Sequence, residues 1–112
     1  MTTAGDLVAT WLPVALGIVM IGAGVANFAG ARSVRDSFAR WGYPAGFHRV
    51  TGVSEVGAGV LLLIPATTRA GAIGSAVILL AAAATLCRAR EWKHLPGAVI
   101  LAAAAAAVTL IG

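Results

Sequence analysis

One carboxylate stands out among the residues that could do chemistry, because it lies inside an apolar stretch. Glu55 is the only charged residue in VTGVSEVGAGVLLL at 50–63. A charged carboxylate within a segment apolar enough to span a membrane costs roughly 2 to 4 kcal/mol, so it usually has a partner or a function. We therefore take Glu55 as the centre of a candidate site.

Several polar and small residues share a helical face with Glu55. His48 and Thr51 lie seven and four residues before it, so a helix through this stretch places the three side chains on one side. Gly52 and Gly59 lie beside that face, and small residues there favour contact with another helix. We predict that these five residues belong to one pocket between helices.

Asn27 is the polar exception near the end of the preceding apolar stretch, and we expect it at a depth similar to that of Glu55. It either hydrogen-bonds a neighbouring helix or lines the same pocket. Three interpretations of Glu55 remain open. It is a structural carboxyl that fixes helix register, a proton-handling or ligand-binding group in a quinone- or lipid-facing pocket, or the coupling carboxylate of a transporter.

Other chemistries lack the residues that they need. Cys87 is the only cysteine, which excludes an internal disulfide and a dithiol redox pair. His48 and His94 have no ligand spacing with Glu55, so we expect no metal site. The sequence also has no Gly-rich phosphate loop, nucleophile elbow or paired carboxylates.

The elements that would hold these residues are membrane helices. The chain has 112 residues, enough for a single domain (1–112), of which 60% are hydrophobic and 11% charged. Most of the charge lies at 32–49 and 88–94, between long uncharged stretches. The net charge of +4 does not indicate nucleic-acid binding, because the basic residues flank apolar segments rather than form one face.

We predict an all-α fold, a bundle of four transmembrane helices with a short amphipathic interfacial helix between the first two. The apolar stretches are long enough to cross about 30 Å of hydrocarbon at about 1.5 Å per residue. The predicted spans cover about 7–30, 46–64, 70–87 and 95–111.

The segment between the first two spans is too polar to cross a membrane. Ser33 and Asp36 form a helix-capping pattern. Val34, Phe38 and Trp41 share an apolar face. We expect this face to lie in the acyl boundary, with the arginines near lipid phosphates. We expect Gly42 to end the helix in a left-handed conformation.

Basic residues predict the orientation. The loop at 31–49 carries four arginines and the loop at 88–94 carries three Lys or Arg, whereas the loop between them has only Arg69. In a four-span chain these two basic loops share a side, and the positive-inside rule makes that side cytoplasmic. We therefore expect a multi-pass cell membrane protein with both termini outside the cytoplasm.

A longer pattern gives a family resemblance. The motifs are F-x-x-W-G-Y-P-x-x-F at 38–47, G-x-x-E-x-x-x-G at 52–59 and R-x-G-A at 69–72. Together they resemble the DoxX-like family of small four-helix membrane proteins. The resemblance marks Gly42, Pro44, Gly52, Glu55 and Gly59.

The resemblance also implies functions. The family is named for a subunit of a thiosulfate:quinone oxidoreductase, and other members are described as membrane partners of redox enzymes. It thus implies a quinone-associated or accessory subunit that docks a soluble oxidoreductase through its cytoplasmic basic loops. Many members carry a lysine where this chain has Asn27 and Phe28, so a mechanism based on an intramembrane Lys–Glu pair is not available here.

Two alternatives stand beside that function. One is a small four-span proton-coupled transporter, and the other is a structural or assembly protein of the membrane without catalysis. We expect contact with membrane lipid in each case. Enzymatic activity, the cofactor (a quinone is the class considered) and a homo-oligomer stay open.

Overall fold

A computed structural model describes residues 2–111, which form five α-helices and one short 3₁₀ turn. In chain order these are α1 (Ala4–Ala29), α2 (Arg32–Arg40), α3 (Phe47–Leu63), the 3₁₀ turn (Pro65–Thr67), α4 (Thr68–Arg88) and α5 (Leu95–Ile111). The part of the chain described contains no strand. The all-α prediction is therefore confirmed, and the four long helices coincide with the four predicted apolar stretches.

The four long helices pack side by side in a body of 50 × 24 × 18 Å. α3 packs most extensively on α1, α4 packs on α3 and α5, and α5 also contacts α1. The buried core includes Leu16 and Met20 of α1, Leu62 of α3, and Ala105 and Val108 of α5. Short connections make α3, α4 and α5 consecutive antiparallel neighbours, as in other helical bundles, whereas α2 lies within the longer connection between α1 and α3.

Four glycines bring α1 and α3 into backbone contact. A methyl group added at Gly24 would lie 2.6 Å from the carbonyl oxygen of Gly52, and the reverse distance is also 2.6 Å. Two turns away, Gly17 and Gly59 face each other in the same way. A methyl group added at Gly17 would lie 3.0 Å from the carbonyl oxygen of Gly59, and the reverse distance is 2.7 Å. Larger residues would force the helices apart. The prediction that the small residues beside Glu55 meet another helix is therefore confirmed.

The two ends of α1 are both capped. The Thr3 hydroxyl accepts a hydrogen bond from the Asp6 amide at 3.1 Å, and the Asp6 carboxylate accepts one from the Thr3 amide at 3.0 Å. At the other end Gly30 adopts a left-handed φ of 65° and donates to the Ala26 carbonyl at 3.3 Å. Only Gly30 and Ala31 lie between α1 and α2.

The predicted capping of α2 by Ser33 and Asp36 is wrong. Ala31 is the N-cap residue, and no side chain caps the helix there. Because Gly30 ends α1 just before Ala31, the chain is already helical when it reaches Ser33. The carbonyl of Ser33 instead accepts a hydrogen bond from the Ser37 hydroxyl at 2.9 Å, as in a helix interior.

Phe38 lies inside the protein and not in the acyl boundary, which corrects the second prediction for α2. It is 8% exposed, and the rings of Trp41 and Tyr43 lie 5.2 and 5.8 Å from its own. The cause is the turn at Gly42, whose φ of 89° folds the following loop back over α2. Gly42 thus has the predicted left-handed conformation, while the interfacial position of α2 stays a prediction.

Two helical stretches are long and apolar enough to cross a membrane, Ala4–Ala29 and Pro65–Arg88. Leu95–Ile111 is apolar but shorter. Large apolar side chains also cover the outer surface, among them Leu80 at 61% and Leu110 at 83% exposure. Such a surface suits lipid rather than water. Four membrane crossings stay a prediction.

Candidate functional site

The site begins at the contact between α1 and α3. The side-chain amide of Asn27 donates a hydrogen bond of 2.5 Å to Oε1 of Glu55. Side chains tilt toward the N-terminus of their own helix, so in antiparallel helices these two tilt toward each other across the Gly24–Gly52 contact. Glu55 is 7% exposed and Asn27 is half-buried. The expectation that Asn27 and Glu55 lie at a similar depth is confirmed.

A cavity of about 370 Å³ lies beside this pair, between α3, α4 and the loop at 41–47. We call it the Glu55 pocket. Its volume falls within the range of small-molecule sites, about 300 to 1,000 Å³. Glu55, Asn27 and Thr51 supply polar atoms on the side of α1 and α3. Most of the remaining lining is apolar or aromatic, including Phe38, Trp41, Tyr43, Phe47, Val50, Val77, Ile78, Ala82 and Leu86.

Aromatic rings form the wall of the pocket nearest the loop. The rings of Tyr43 and Phe47 stack with centroids 4.7 Å apart and planes 9° from parallel. The hydroxyls of Tyr43 and Thr85 lie 2.6 Å apart, and that of Thr85 donates to the Ala81 carbonyl at 2.9 Å. Tyr43 is therefore the donor to Thr85. This bond fixes a flat aromatic surface against which a planar ligand could stack.

Four residues, Arg40, Trp41, Arg88 and Glu91, hold the loop at 41–47 against the end of α4, and we call them the latch. Arg40 contacts the Glu91 carboxylate at 3.0 Å, the Trp41 indole N–H donates to the same carboxylate, and Arg88 donates to the Trp41 carbonyl at 3.0 Å. The Trp41 N–H first, and Arg40 second, hold the pKa of Glu91 below its ordinary value of 4.5. The latch shows that both basic loops lie at the same end of the bundle.

The family model of the DoxX-like family matches residues 11–108, which is most of the chain. The chain belongs to the DoxX-like family. Neither the curated proteins nor the solved structures compared with it give a match. The family and the apolar helices together make it a membrane protein.

His48 of this DoxX-like protein lies away from Glu55, although their spacing puts both on one side of α3. Its ring packs under Gly30, where an added methyl group would lie 2.5 Å from Nε2. It lines a second cavity of about 200 Å³ beneath α2, and the rings of Phe38 and Tyr43 line both cavities. Seven residues along a helix amount to about 10 Å, so the two side chains reach different cavities.

The structure thus brings together only part of the predicted pocket of the DoxX-like chain. Glu55, Asn27 and Thr51 line one cavity. His48 lines the other cavity, and Gly52 and Gly59 are packed against α1.

Sequence reasoning missed several residues at the site, namely Tyr43, Phe47, Thr85 and Glu91. Tyr43 and Phe47 belong to the DoxX-like motif at 38–47, but only the folded loop shows that their rings form a pocket wall. A signal for Glu91 exists in the sequence, since it is the only acidic residue in the basic loop at 88–94. No group of three His, Cys, Asp or Glu side chains suited to a metal ion occurs within residues 2–111.

Proposed function

We propose that this DoxX-like protein is a quinone-associated membrane subunit and that the Glu55 pocket is its quinone site. The observation that carries the proposal is the position of the Asn27–Glu55 pair beside an aromatic-walled cavity of about 370 Å³. A quinone ring has oxygen atoms that need hydrogen-bond partners, and its flat faces prefer aromatic and apolar neighbours. The pocket offers both kinds of contact.

The chemistry that Glu55 could perform is proton transfer at a ring oxygen. Reduction of a quinone to a quinol takes up two electrons and two protons. A carboxyl group next to a ring oxygen can donate one of those protons and later accept one from a quinol hydroxyl. The Asn27 amide would hold the carboxylate in place in both directions.

The electrons would come from a soluble oxidoreductase docked at the basic end of the bundle. Loops at 31–49 and 88–94 meet there through the latch, so their charges act on one surface. Clustered positive charge steers a partner with an acidic surface. Besides Arg40 and Arg88 of the latch, the exposed basic residues at this end are Arg32, Arg35, Arg49, Arg90 and Lys93.

The proposal includes four membrane crossings with the basic end in the cytoplasm and both termini outside. A reporter enzyme fused after residue 112 is expected to be active only on the outer side. Cytoplasmic activity of that reporter would contradict the orientation but leave the quinone site untouched.

A structural role for Glu55 is the second candidate, because its hydrogen bond with Asn27 joins α1 to α3. In that case the carboxyl only fixes the register of the two helices. The Glu55→Gln variant distinguishes the two roles, because the Gln side-chain oxygen can still accept the Asn27 hydrogen bond but the side chain cannot exchange a proton.

The test measures quinone binding in lipid nanodiscs and quinone-linked turnover in membranes containing the partner enzyme. Glu55→Gln is expected to lower turnover by about 100-fold, because a group that transfers a proton contributes about 10² to 10⁴ to the rate. Quinone binding is expected to change less, since the Gln side-chain N–H can still donate to a ring oxygen. Asp36→Asn is the matched control, since it makes the same chemical change at an exposed residue of α2. Unchanged binding and turnover in Glu55→Gln, with a melting temperature that falls in Asn27→Ala, would favour the structural role instead.

A further inference from the structure

We propose that the Glu55 pocket is entered sideways from the bilayer, through a gap between α3 and α4. Its ligand is an amphiphile with one small neutral polar head, held at Glu55, and an apolar tail that passes out through the gap. This inference rests on the proposed function and adds the route of entry and the general shape of the ligand.

The gap is defined by four residues that line the pocket and are also exposed on the flank of the bundle. Two of them, Val50 and Ser54, belong to α3, and the other two, Val77 and Ala81, belong to α4. Val50 is 56% exposed and Val77 is 63% exposed. A cavity whose wall includes side chains this exposed is open on that flank.

The gap lies far from the end of α4. Ala81 and Val77 precede Arg88, the last residue of the helix, by seven and eleven residues. These separations correspond to about 10 and 16 Å along the axis. Since Pro65–Arg88 is long and apolar enough to cross a membrane, this depth places the gap within hydrocarbon.

The end of the pocket nearest the basic loops is covered. Trp41, Tyr43 and Phe47 form its wall there, and the Tyr43–Thr85 bond ties that wall to α4. Arg88 adds a hydrogen bond to the Trp41 carbonyl. A ligand arriving from water at this end would have to break these contacts, whereas one in the bilayer meets the open flank.

The distribution of polar side chains along the gap fits a ligand whose polar head lies inside the pocket and whose tail points outward. The only polar side chain of the gap, Ser54, donates its hydroxyl to the Val50 carbonyl of its own helix at 2.9 Å, so it leaves no unpaired donor toward lipid. Glu55 and Thr51 supply polar atoms further in. The pocket lining includes Glu55 but no Lys or Arg, so the phosphate of a phospholipid head group would lose its hydration here without a counter-charge. We therefore take the head to be a neutral group that hydrogen-bonds Glu55.

The experiment uses a benzoquinone with a decyl tail that ends in a diazirine, added to the protein in nanodiscs. In the wild type the tail is expected to label α3 and α4 near the gap. Ala81→Trp fills the gap and is expected to lower labelling by about tenfold. Ala84→Trp is the matched control, because Ala84 is also an exposed alanine of α4 but does not line the pocket.

Binding of a tail-less benzoquinone shows whether the pocket of each variant can still hold a quinone ring. It is expected to bind Ala84→Trp as tightly as the wild type. Ala81→Trp is expected to weaken its binding less than that of the tailed probe, because it has no tail to pass through the gap at Ala81. Equal labelling of both variants by the tailed probe, or labelling confined to the basic loops, would overturn the sideways route.

A second measurement separates this inference from the proposed function. A spin label on Ala81→Cys, in a Cys87→Ser background, is expected to be more accessible to oxygen than to a water-soluble nickel chelate. The reverse order would overturn the opening toward lipid, whatever the ligand is. Failure of the wild type to bind either quinone would overturn the proposed function and the class of ligand, while the spin label would still decide the position of the gap.

Discussion

Asn27 of α1 and Glu55 of α3 share a hydrogen bond of 2.5 Å across 28 residues of sequence. The bond links two helices that already touch through paired glycines, and it lies at the wall of a cavity lined by aromatic rings. One polar contact therefore contributes both to helix packing and to a binding site. The first two predictions concern packing.

Asn27→Ala should destabilise the fold, because it leaves the buried Glu55 carboxyl without its donor. A buried polar group that loses its partner costs about 1 to 3 kcal/mol. Unfolding in detergent, followed by circular dichroism, measures the change. Glu55→Gln keeps an acceptor and should lose less stability than Asn27→Ala. Equal stability of Asn27→Ala and the wild type would show that the bond does not hold the helices.

Gly52→Ala should separate α1 from α3, because its methyl group would meet the backbone of Gly24 and Phe28 at 2.6 and 2.7 Å. Overpacking of this kind costs about 1 to 3 kcal/mol. Gly57→Ala is the matched control in the same helix, since nothing lies within 4 Å of its added methyl group. That control should gain about 0.5 to 1 kcal/mol from helix propensity. The same melting temperature in both variants would contradict the close contact.

Gly30→Ala should be more harmful than Gly42→Ala, although both glycines have positive φ. Each substitution carries about 1 to 2 kcal/mol of left-handed strain. Only the methyl group at Gly30 also meets the ring of His48, at 2.5 Å. Adding His48→Ala should therefore recover stability in Gly30→Ala and not in Gly42→Ala, as measured by thermal unfolding of the double variants. Equal recovery of stability in the two double variants would show that His48 does not lie against Gly30.

The latch should weaken in acid. Hydrogen bonds from Trp41 and Arg40 lower the pKa of Glu91 in the folded protein below 4.5. A lowered pKa means that the stabilisation is present above pH 4.5 and is lost as the pH falls below 4.5 and through the pKa of the folded state. The Trp41 indole N–H resonance in nuclear magnetic resonance spectra should shift over that range. In Glu91→Gln the resonance should not follow this titration, and an identical titration would exclude Glu91 as the cause.

The sequence was sufficient to predict the helices and the similar depth of Asn27 and Glu55, for physical reasons. Long apolar stretches ended by Gly30, and by Pro65 after α3, leave little choice about where helices lie. Gly52 and Gly59 predict a close helix neighbour because only small residues allow backbones to touch. Asn27 is then the expected hydrogen-bond partner of Glu55, because few other polar side chains are available at that depth.

The aromatic wall and the latch could not be predicted in the same way. They depend on the path of the loop at 41–47, which has no periodic pattern and is set by the turn at Gly42 and by contacts with α4. The same loop buries Phe38, and Phe38 and Tyr43 line both the cavity of Glu55 and that of His48. Helical spacing alone does not show that His48 and Glu55 line different cavities.

The most direct test of the quinone site is a density map of the protein in lipid nanodiscs, determined with a saturating long-tailed quinone. We predict ring density beside Tyr43 and Phe47, with a ring oxygen within hydrogen-bonding distance of Glu55 and the tail between α3 and α4. An empty Glu55 pocket at saturation, or a quinone bound elsewhere on the protein, would contradict the account.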